Sequence, residues 1–551
     1  MGNAIPITVG VVGHLDVITT DDHRLRITKL FLDLTSEYPN SPIWLFSSLA
    51  DGADRFVARI FLELKNTRED LKNRLELIVP TPFKPAEYKK DFSEASSREF
   101  DDMLSHSKRT FCISCEEYLN DRPLQYLKAG KFVADSSVIL IAFWDGEKGK
   151  KGGTADIVRH KVAGDDDNVA ESTFEYDGTV FIIPSDRAGS ASANSANISY
   201  GEPLSLDMVR KDPAIGEALN KIEEINTETI EANDPAIVNS QNNLFRDHDK
   251  LDDPQKFIME LYSHFDVLSL RSRVKDIRIT IVLFIFGLFF LLALEIYSNL
   301  FLTDLVLGSA MVLISFATVI YFYSRSKQNH KKYLINRTLA EALRIQFYWN
   351  MASITKNVSD YFLRIHRKDF TWVKLMLSAV YGITYVNRKI TSEIIKDVTL
   401  SWVKSEADFF KSSISRMTKQ IALNNRISDA SFVISFALLI SIFFFGGFYS
   451  KHNLQNYILV IVGALLGIFA LIKAYIQMKG YEQLMNQYEL MLVIYTRAES
   501  KINETDTYDL DPDRKNAYLK ELFFVIGKEA LIDNGNWYLI FKEKEPEIEG
   551  I

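Results

Sequence analysis

Three short loops combine glycine with hydroxyl, carboxylate and basic side chains, a combination that could bind a phosphate or a nucleotide. They are residues 10–14 (GVVGH), 48–54 (SLADGAD) and 149–154 (GKKGGT). Glycine lets backbone N–H groups approach a phosphate closely, and the partial positive charge at a helix N-terminus attracts an anion. This pattern predicts the binding of a nucleotide-derived ligand.

The third loop carries the largest set of phosphate-binding groups. Thr154 could cap the helix that follows or bond a phosphate oxygen, and Lys150 and Lys151 add positive charge at the mouth. Each loop by itself also fits an ordinary strand-to-helix turn, and the three together favour a nucleotide site. The residues predicted to bind the ligand are Gly13, His14, Ser48, Asp51, Gly52, Ala53, Asp54, Asp145, Gly152, Gly153 and Thr154.

Strand and helix patterns alternate along the first part of the chain, and they would bring the three loops to one edge of a sheet. The predicted strands cover residues 5–12, 43–47, 75–79, 109–114, 138–144 and 179–183. Strands that alternate with helices form βαβ units and a parallel sheet, which binds ligands beyond the carboxyl ends of its strands. The predicted fold of this part is an α/β, Rossmann-like domain with a parallel sheet.

Four long apolar segments lie in the second half of the chain. Their uncharged cores are residues 279–294, 305–324, 430–450 and 453–472. A helix that spans a bilayer needs about 20 mostly apolar residues, and short connectors pair these segments into two helical hairpins. The sequence therefore predicts an all-α membrane region with four transmembrane helices and long cytoplasmic helices.

The charges that flank the apolar segments predict their orientation. Basic residues lie at the open ends of both hairpins, whereas the connector at residues 297–304 contains no Lys or Arg. Positive residues tend to stay in the cytoplasm, so both termini are predicted to be cytoplasmic in a multi-pass membrane protein. Residues 1–20 lack the pattern of a secretory signal peptide.

These patterns predict a chain of four parts. Residues 1–187 form the nucleotide-sensing domain, and 188–255 form a flexible connector. Residues 256–425 hold the first hairpin with its cytoplasmic helices, and 426–551 hold the second hairpin with C-terminal cytoplasmic helices. The formal net charge of −8 argues against a nucleic-acid partner. No metal site is predicted, and Cys112 and Cys115 are expected to be a pair of thiols.

Residues 10–16 (GVVGHLD), 47–55 (SSLADGADR) and 142–158 (AFWDGEKGKKGGTADIV) resemble bacterial SLOG domains, Rossmann-like relatives of the LOG phosphoribohydrolases and the DprA family. The resemblance implies a domain that senses or processes nucleotide-derived ligands in bacterial conflict systems. The LOG enzymes carry a Pro-Gly-Gly-x-Gly-Thr-x-x-Glu motif. Here no proline precedes Gly152, the third glycine is missing and no Glu follows Thr154 at that spacing, which favours ligand sensing over glycosidic hydrolysis.

Two segments of the membrane half resemble the SLATT family of transmembrane effectors. They are residues 333–344 (YLINRTLAEALR) and 526–537 (IGKEALIDNGNW). The resemblance implies a pore or a membrane-perturbing effector that kills the cell on infection. Members of that family carry one hairpin, so a chain with two would be a fused or four-span variant.

The predicted function is that of an effector in a bacterial antiphage system, located in the inner membrane. The SLOG-like domain would bind a nucleotide- or NAD-derived signal from an enzyme encoded nearby, and the spans of a homo-oligomer would then disrupt the lipid bilayer or form a pore. No cofactor is required. Two alternatives stay open: a membrane-tethered nucleotide or NAD N-glycosidase that uses Asp51, Asp54 or Asp156, and a ligand-gated channel with a housekeeping role.

Two details of the membrane half have more than one interpretation. Gly463 and Gly467 form a GxxxG pair, which fits packing within a hairpin, a lipid-facing surface or an oligomer interface. Trp402 and Trp537 could pack at subunit contacts or lie at the lipid interface.

Overall fold

A computed structural model of the chain describes residues 4–113, 121–147, 152–163, 179–187, 204–228, 230–361, 367–388, 390–505 and 511–542. The chain divides into two compact units. The sheet unit comprises Met1–Ser263 and Ala342–Ile394, and the helical unit comprises His264–Glu341 and Ile395–Ile551.

Six parallel strands form the centre of the sheet unit, in the order β4-β3-β2-β1-β5-β6. Long apolar runs in the strands are buried because helices cover a parallel sheet on both faces. The prediction of an α/β, Rossmann-like parallel sheet is confirmed, and each predicted strand end lies within two residues of the observed one. The strands are β1 (Ile7–Gly13), β2 (Ile43–Phe46), β3 (Leu75–Thr81), β4 (Arg109–Cys112), β5 (Ile139–Trp144) and β6 (Val180–Pro184).

Three of the helices between the strands, the first, fourth and fifth, begin at polar side chains that accept backbone N–H groups. The side chain of Thr20 accepts the amide of His23 before the first helix, and Asp121 accepts that of Leu124 before the fifth. These helices are α1 (Asp21–Glu37), α2 (Ala53–Thr67), α3 (Pro85–Tyr88), α4 (Glu94–Ser105), α5 (Arg122–Asp135) and α6 (Thr154–Ala163).

The predicted flexible connector, residues 188–255, is ordered helix over most of its described part. It contains α7 (Leu206–Lys211), α8 (Pro213–Thr227) and α9 (Pro235–Leu244). The apolar stripe of α8 is buried, and Asn226 at its end exchanges two hydrogen bonds with the backbone of Ile5, at 2.8 and 2.9 Å. The Gly-, Ser-, Ala- and Asn-rich stretch that suggested a linker, residues 188–200, lies outside the described residues.

The rest of the described chain is mostly helical. Its helices are α10 (Asp253–Asn299), α11 (Asp304–Lys327), α12 (Asn329–Met351), α13 (Arg367–Thr384), α14 (Ser392–Val398), α15 (Ser405–Lys451), α16 (Gln455–Lys479), α17 (Tyr481–Thr505) and α18 (Pro512–Lys542). Within the described residues, four stretches of helix are long and apolar enough to cross a membrane. They contain α10, α11, α15 and α16, respectively. Only 6% to 17% of each apolar window is buried, so most of its side chains face outward.

Residues 342–394 belong to the sheet unit, although the sequence suggested that they were part of the membrane region. Ile383 and Tyr385 lie in the same buried apolar cluster as Phe46 of β2. The ring of Tyr385 stacks on Phe111 with centroids 5.3 Å apart, and Arg109 donates hydrogen bonds to the carbonyls of Ile383 and Tyr385. The segment between the hairpins therefore completes the core on one face of the sheet.

The two glycines of the GxxxG pair pack against the first apolar helix of the same chain. A Cβ atom on Gly463 would lie 2.3 Å from Cδ of Glu295 in α10, whereas one on Gly467 would lie 3.5 Å from Cδ1 of Leu291. The pair therefore packs within the chain but between the two hairpins, which is not the predicted packing within one hairpin, and this contact joins α10 to α16.

The two segments that resemble SLATT proteins meet in the helical unit. Asn534 of α18 donates to the carbonyl of Thr338 in α12 at 3.1 Å, and the rings of Tyr333 and Trp537 meet edge to face at 5.7 Å. Trp402 is 1% exposed and lies within 6.5 Å of the rings of Tyr495 and Phe523. The expectation of a subunit contact or a lipid contact for Trp402 is therefore wrong.

Candidate functional site

The order of the strands defines a switch point between β1 and β5. From β1 the chain builds outward to β2, β3 and β4 on one side, and it then returns to place β5 and β6 on the other. Loops that leave two such neighbouring strands diverge, and they open a crevice at the carboxyl edge where parallel sheets bind ligands. His14 follows β1 at this edge and Asp145 follows β5.

His14 and Asp145 form a buried pair at the switch point. The Nε2 atom of His14 lies 3.1 Å from Oδ1 of Asp145, and both residues are less than 10% exposed. Burial lowers the pKa of His14, with Asp145 opposing that shift and Arg187 adding to it. Oδ1 of Asp145 also accepts the amide of Glu147 at 3.0 Å, which shapes the turn after β5. The sequence predicted both residues, and the structure brings them together.

Arg187 completes this group and was missed by the sequence analysis. Its Nη1 atom lies 3.9 Å from Oδ2 of Asp145, and its Nε donates to Oδ1 of Asp16 at 3.0 Å. A short backbone bridge between Val17 and Arg187 holds the two loops together. The sequence could have indicated Arg187 as a site residue, because it follows the last predicted strand at the same edge of the sheet.

Two polar atoms near the ends of β5 and β6 are buried and have no hydrogen-bond partner among the described residues. They are the hydroxyl of Ser185, a residue that is 2% exposed, and Nδ1 of His23. Ser185 donates its backbone amide to the carbonyl of Trp144, and the His23 ring lies edge to face on Phe143 at 5.6 Å. Buried polar groups are normally paired, so two unpaired ones at this edge indicate a place for a ligand or water.

We refer to His14, Asp16, His23, Asp145, Ser185 and Arg187 as the switch-point crevice. Burial is the largest cause that lowers the pKa of His23, as it is for His14. Burial thus favours the neutral form of both imidazoles, and a neutral imidazole can donate one hydrogen bond and accept another.

The loop after β2 packs directly on the loop after β1. Gly52 has a φ of +83°, and a Cβ atom there would lie 2.3 Å from the carbonyl oxygen of His14. The amide of Ala53 reaches the same oxygen at 3.3 Å, while a Cβ on Gly13 would lie 2.4 Å from that of Ala53. The glycines in these two loops therefore allow close contact between backbones. The hydroxyl of Ser48 donates to the carbonyl of Pro80 at 2.8 Å, away from this contact.

Asp51 and Asp54 at the start of α2 have structural partners. Oδ1 of Asp51 accepts from Nη1 of Arg55 at 2.7 Å and from the hydroxyl of Ser96 at 2.6 Å. Arg55 is 2% exposed and also donates from Nε to the carbonyl of Leu49 at 3.0 Å. Burial raises the pKa of Asp54 to about 7, although backbone N–H groups and Arg55 favour its charged form.

The third loop is hydrogen-bonded to the first turn of the helix that follows it, α6. Gly152 has a φ of +84°, and its amide donates to Oδ2 of Asp156 at 2.8 Å. The carbonyl of Gly153 accepts the amide of Asp156 at 3.1 Å, and Thr154 is buried at the first turn of α6. Lys150 and Lys151 lie outside the described residues. The Gly152 amide, which was expected to bind a phosphate, therefore already donates its hydrogen bond to the carboxylate of Asp156.

Cys112 at the end of β4 is disulfide-bonded, so the expectation of a free thiol is wrong for this residue. Cys115 lies outside the described residues. The part of the chain that the structure describes contains no group of three or more His, Cys, Asp or Glu that could hold a metal ion.

A scan of protein-family models gives no match to this chain, and neither does a search of curated proteins. The resemblances to SLOG and SLATT proteins therefore depend on the motifs alone, and the function must be argued from the geometry of the site.

Proposed function

We propose that the protein is a membrane-bound sensor and effector. The sheet unit would bind a nucleotide- or NAD-derived small molecule at the switch-point crevice, and the apolar helices would respond by permeabilising the bilayer. The observation that supports this most is that the described residues of one chain combine a polar cluster with unpaired buried groups, at the carboxyl edge of a parallel sheet, with four helices of membrane-spanning length. A soluble enzyme would need only the first of these features.

The chain connects the two units three times, and every connection lies inside a helix. The boundaries fall after Ser263 in α10, after Glu341 in α12 and after Ile394 in α14. The first of these helices begins in the sheet unit at Asp253 and continues without a break through the first apolar segment. A helix transmits force where a Gly-rich linker would not, so these connections support mechanical coupling.

The enzymatic alternative has less support. A glycosidase needs a carboxylate that can reach the substrate as an acid, base or nucleophile. Asp51 is paired with Arg55, and Asp54 is buried in the first turn of α2. Asp156 accepts the Gly152 amide at the start of α6. Release of free base or nicotinamide by the purified chain would contradict the sensor proposal.

Ligand binding is tested by calorimetry on the full chain in detergent with NAD, ADP-ribose and a cyclic dinucleotide. An Asp145→Asn variant should weaken binding of the active probe at least about tenfold, because a charge-assisted hydrogen bond contributes about 1.5–3 kcal/mol. Asp135→Asn is the matched control, since that carboxylate is exposed and pairs with His160. A Gly153→Trp variant tests the third loop separately.

The membrane part of the proposal predicts four spans with both termini in the cytoplasm of a bacterium. Reporter fusions after residues 299 and 452 should report the periplasm, and fusions after 380 and 551 the cytoplasm. A periplasmic signal at 380 would contradict the two-hairpin topology. Toxicity that needs an infection signal would separate an antiphage effector from a housekeeping channel.

A further inference from the structure

The charges of the switch-point crevice are unsuited to a phosphate. Its two carboxylates, Asp16 and Asp145, face one guanidinium, that of Arg187, which lies near both. Burial lowers the pKa of both histidines, which disfavours a positive charge on either ring. The six residues together carry a net charge of about −1 on the ordinary pKa values of Asp and Arg, so the crevice repels an anion.

At the helix N-terminus nearest in sequence to β5, the amide of Gly152 already has a carboxylate partner. Asp156 accepts the Gly152 amide at 2.8 Å, and its other oxygen lies 3.5 Å from Nη1 of Arg159. A phosphate at this position would have to displace a carboxylate of the same charge.

The unpaired groups of the crevice are neutral hydrogen-bonding groups. The Ser185 hydroxyl can donate and accept, and His23 Nδ1 can accept while the ring donates to the backbone of Pro184. Asp145 and Asp16 add carboxylate oxygens, which accept strongly from hydroxyl donors. The complementary ligand is neutral, rich in hydroxyl groups and able to exchange several hydrogen bonds at short range.

We propose that the switch-point crevice recognises the ribosyl hydroxyl groups of the ligand and not its phosphates. The adjacent hydroxyls of a ribose would donate to the carboxylates, and Ser185 would bond the sugar directly. This inference rests on the proposed function, because it names the part of the nucleotide-derived ligand that the crevice binds. Any phosphates then lie outside the six residues.

The first experiment compares three competitors for ADP-ribose on the full chain in detergent: adenosine, an adenosine analogue that lacks both ribose hydroxyls, and pyrophosphate. Adenosine should compete, and the analogue should compete at least about tenfold less well, since each lost hydrogen bond costs about 0.5–1.5 kcal/mol. Pyrophosphate should not compete. Competition by pyrophosphate, or equal competition by adenosine and its analogue, overturns the inference while the sensor proposal stands. If ADP-ribose itself does not bind, the inference falls for this ligand, and the rest of the probe panel decides the proposed function.

The second experiment uses Ser185→Ala, which separates recognition from folding. The Ser185 hydroxyl has no partner among the described residues, so its removal should leave the stability unchanged and weaken ADP-ribose binding about tenfold. Ser137→Ala is the matched control: this serine is equally buried, but its hydroxyl donates to the carbonyl of Val133 at 2.6 Å. The control should lose stability and keep its affinity. A Ser185→Ala variant that binds ADP-ribose like the wild type overturns the assignment of Ser185.

Discussion

In the sheet unit, charged side chains such as Arg55 and Asp54 are buried, whereas in the helical unit the large apolar side chains Leu305 and Phe443 are more than 80% exposed. The sheet unit pairs its buried charges with backbone and side-chain partners, as Arg55 does with Leu49 and Asp51. The apolar helices have no such need, because outward-facing apolar side chains are stable in hydrocarbon. The two units therefore differ in the surroundings that suit their surfaces. Water suits the sheet unit, whereas hydrocarbon suits the apolar helices of the helical unit.

Glycine shows the same difference between the units. Gly52 and Gly152 adopt a positive φ in loops where a Cβ would meet a backbone carbonyl, so these positions require glycine. In the apolar helices, a Cβ on Gly287, Gly308, Gly446 or Gly447 would meet nothing within 4 Å, and Gly463 is the position where space is tight. In the sheet unit, the backbone conformation decides where glycine is required. In the helical unit, the space between packed helices decides it.

The largest expected effect is that of Gly52→Val. The new side chain would meet the carbonyls of His14 and Leu15 at a φ that β-branched residues rarely adopt, which should cost roughly 3 kcal/mol of unfolding free energy. Chemical denaturation followed by tryptophan fluorescence measures it. Gly308→Ala in α11 is the control and should be neutral or slightly stabilising. Equal losses of unfolding free energy in the two variants would contradict the proposed difference between the glycines of the two units.

The next effect is that of Gly463→Ala in the helical unit. A Cβ 2.3 Å from Glu295 Cδ overpacks the contact between α10 and α16 and should cost about 1–3 kcal/mol. Gly467→Ala should cost less, since its Cβ would make an ordinary contact with Leu291. Thermal unfolding in detergent compares the two. Glu295→Ala should rescue Gly463→Ala, and a failure of rescue would mean that these two helices are not in contact through this pair.

A smaller effect is expected from pH, and it should appear in both units. Burial raises the pKa of Asp54 in the sheet unit and of Asp533 in α18 to about 7, with Glu341 adding to the shift at Asp533. The unfolded chain loses these protons near the ordinary value of 3.8, so the free energy of unfolding should fall as the pH rises from there through about 7. Denaturation midpoints across this interval measure the slope.

The variants Asp54→Asn and Asp533→Asn should each flatten part of this slope, one in each unit. Asp135→Asn is a suitable control, since it replaces an exposed carboxylate. A slope that neither variant changes would assign the pH dependence to other groups.

The smallest expected change in stability is that of a Gly/Ser insertion near Ser272. The insertion interrupts one of the three helical connections and leaves those in α12 and α14. Binding of ADP-ribose should be unchanged, while ligand-triggered dye leakage from vesicles should fall in part. A second insertion within α14 should reduce leakage further. Leakage that survives both insertions would point to oligomerisation of the sheet units as the route of coupling.

Much of the fold could be predicted because its signals are local. The six strands, the continuous helix from Asp253 into the first span and the four apolar helices all follow from runs of residue types. The site could be predicted only in part: His14 and Asp145 stand out at strand ends, whereas Ser185 and His23 carry no motif. The contribution of Ile383 and Tyr385 to the core of the sheet unit depends on contacts between residues far apart in sequence.

By itself, the sequence determined the parallel sheet, the loops at its carboxyl edge and the four apolar helices, because hydrophobic periodicity and glycine placement act over a few residues. The tertiary structure decided which groups are paired. It joined Asp156 to the Gly152 amide, Asp51 to Arg55 and Gly463 to Glu295, and among the described residues it left the Ser185 hydroxyl and His23 Nδ1 without hydrogen-bond partners. Pairing depends on the distance between atoms in the folded chain, and residue order does not specify that distance.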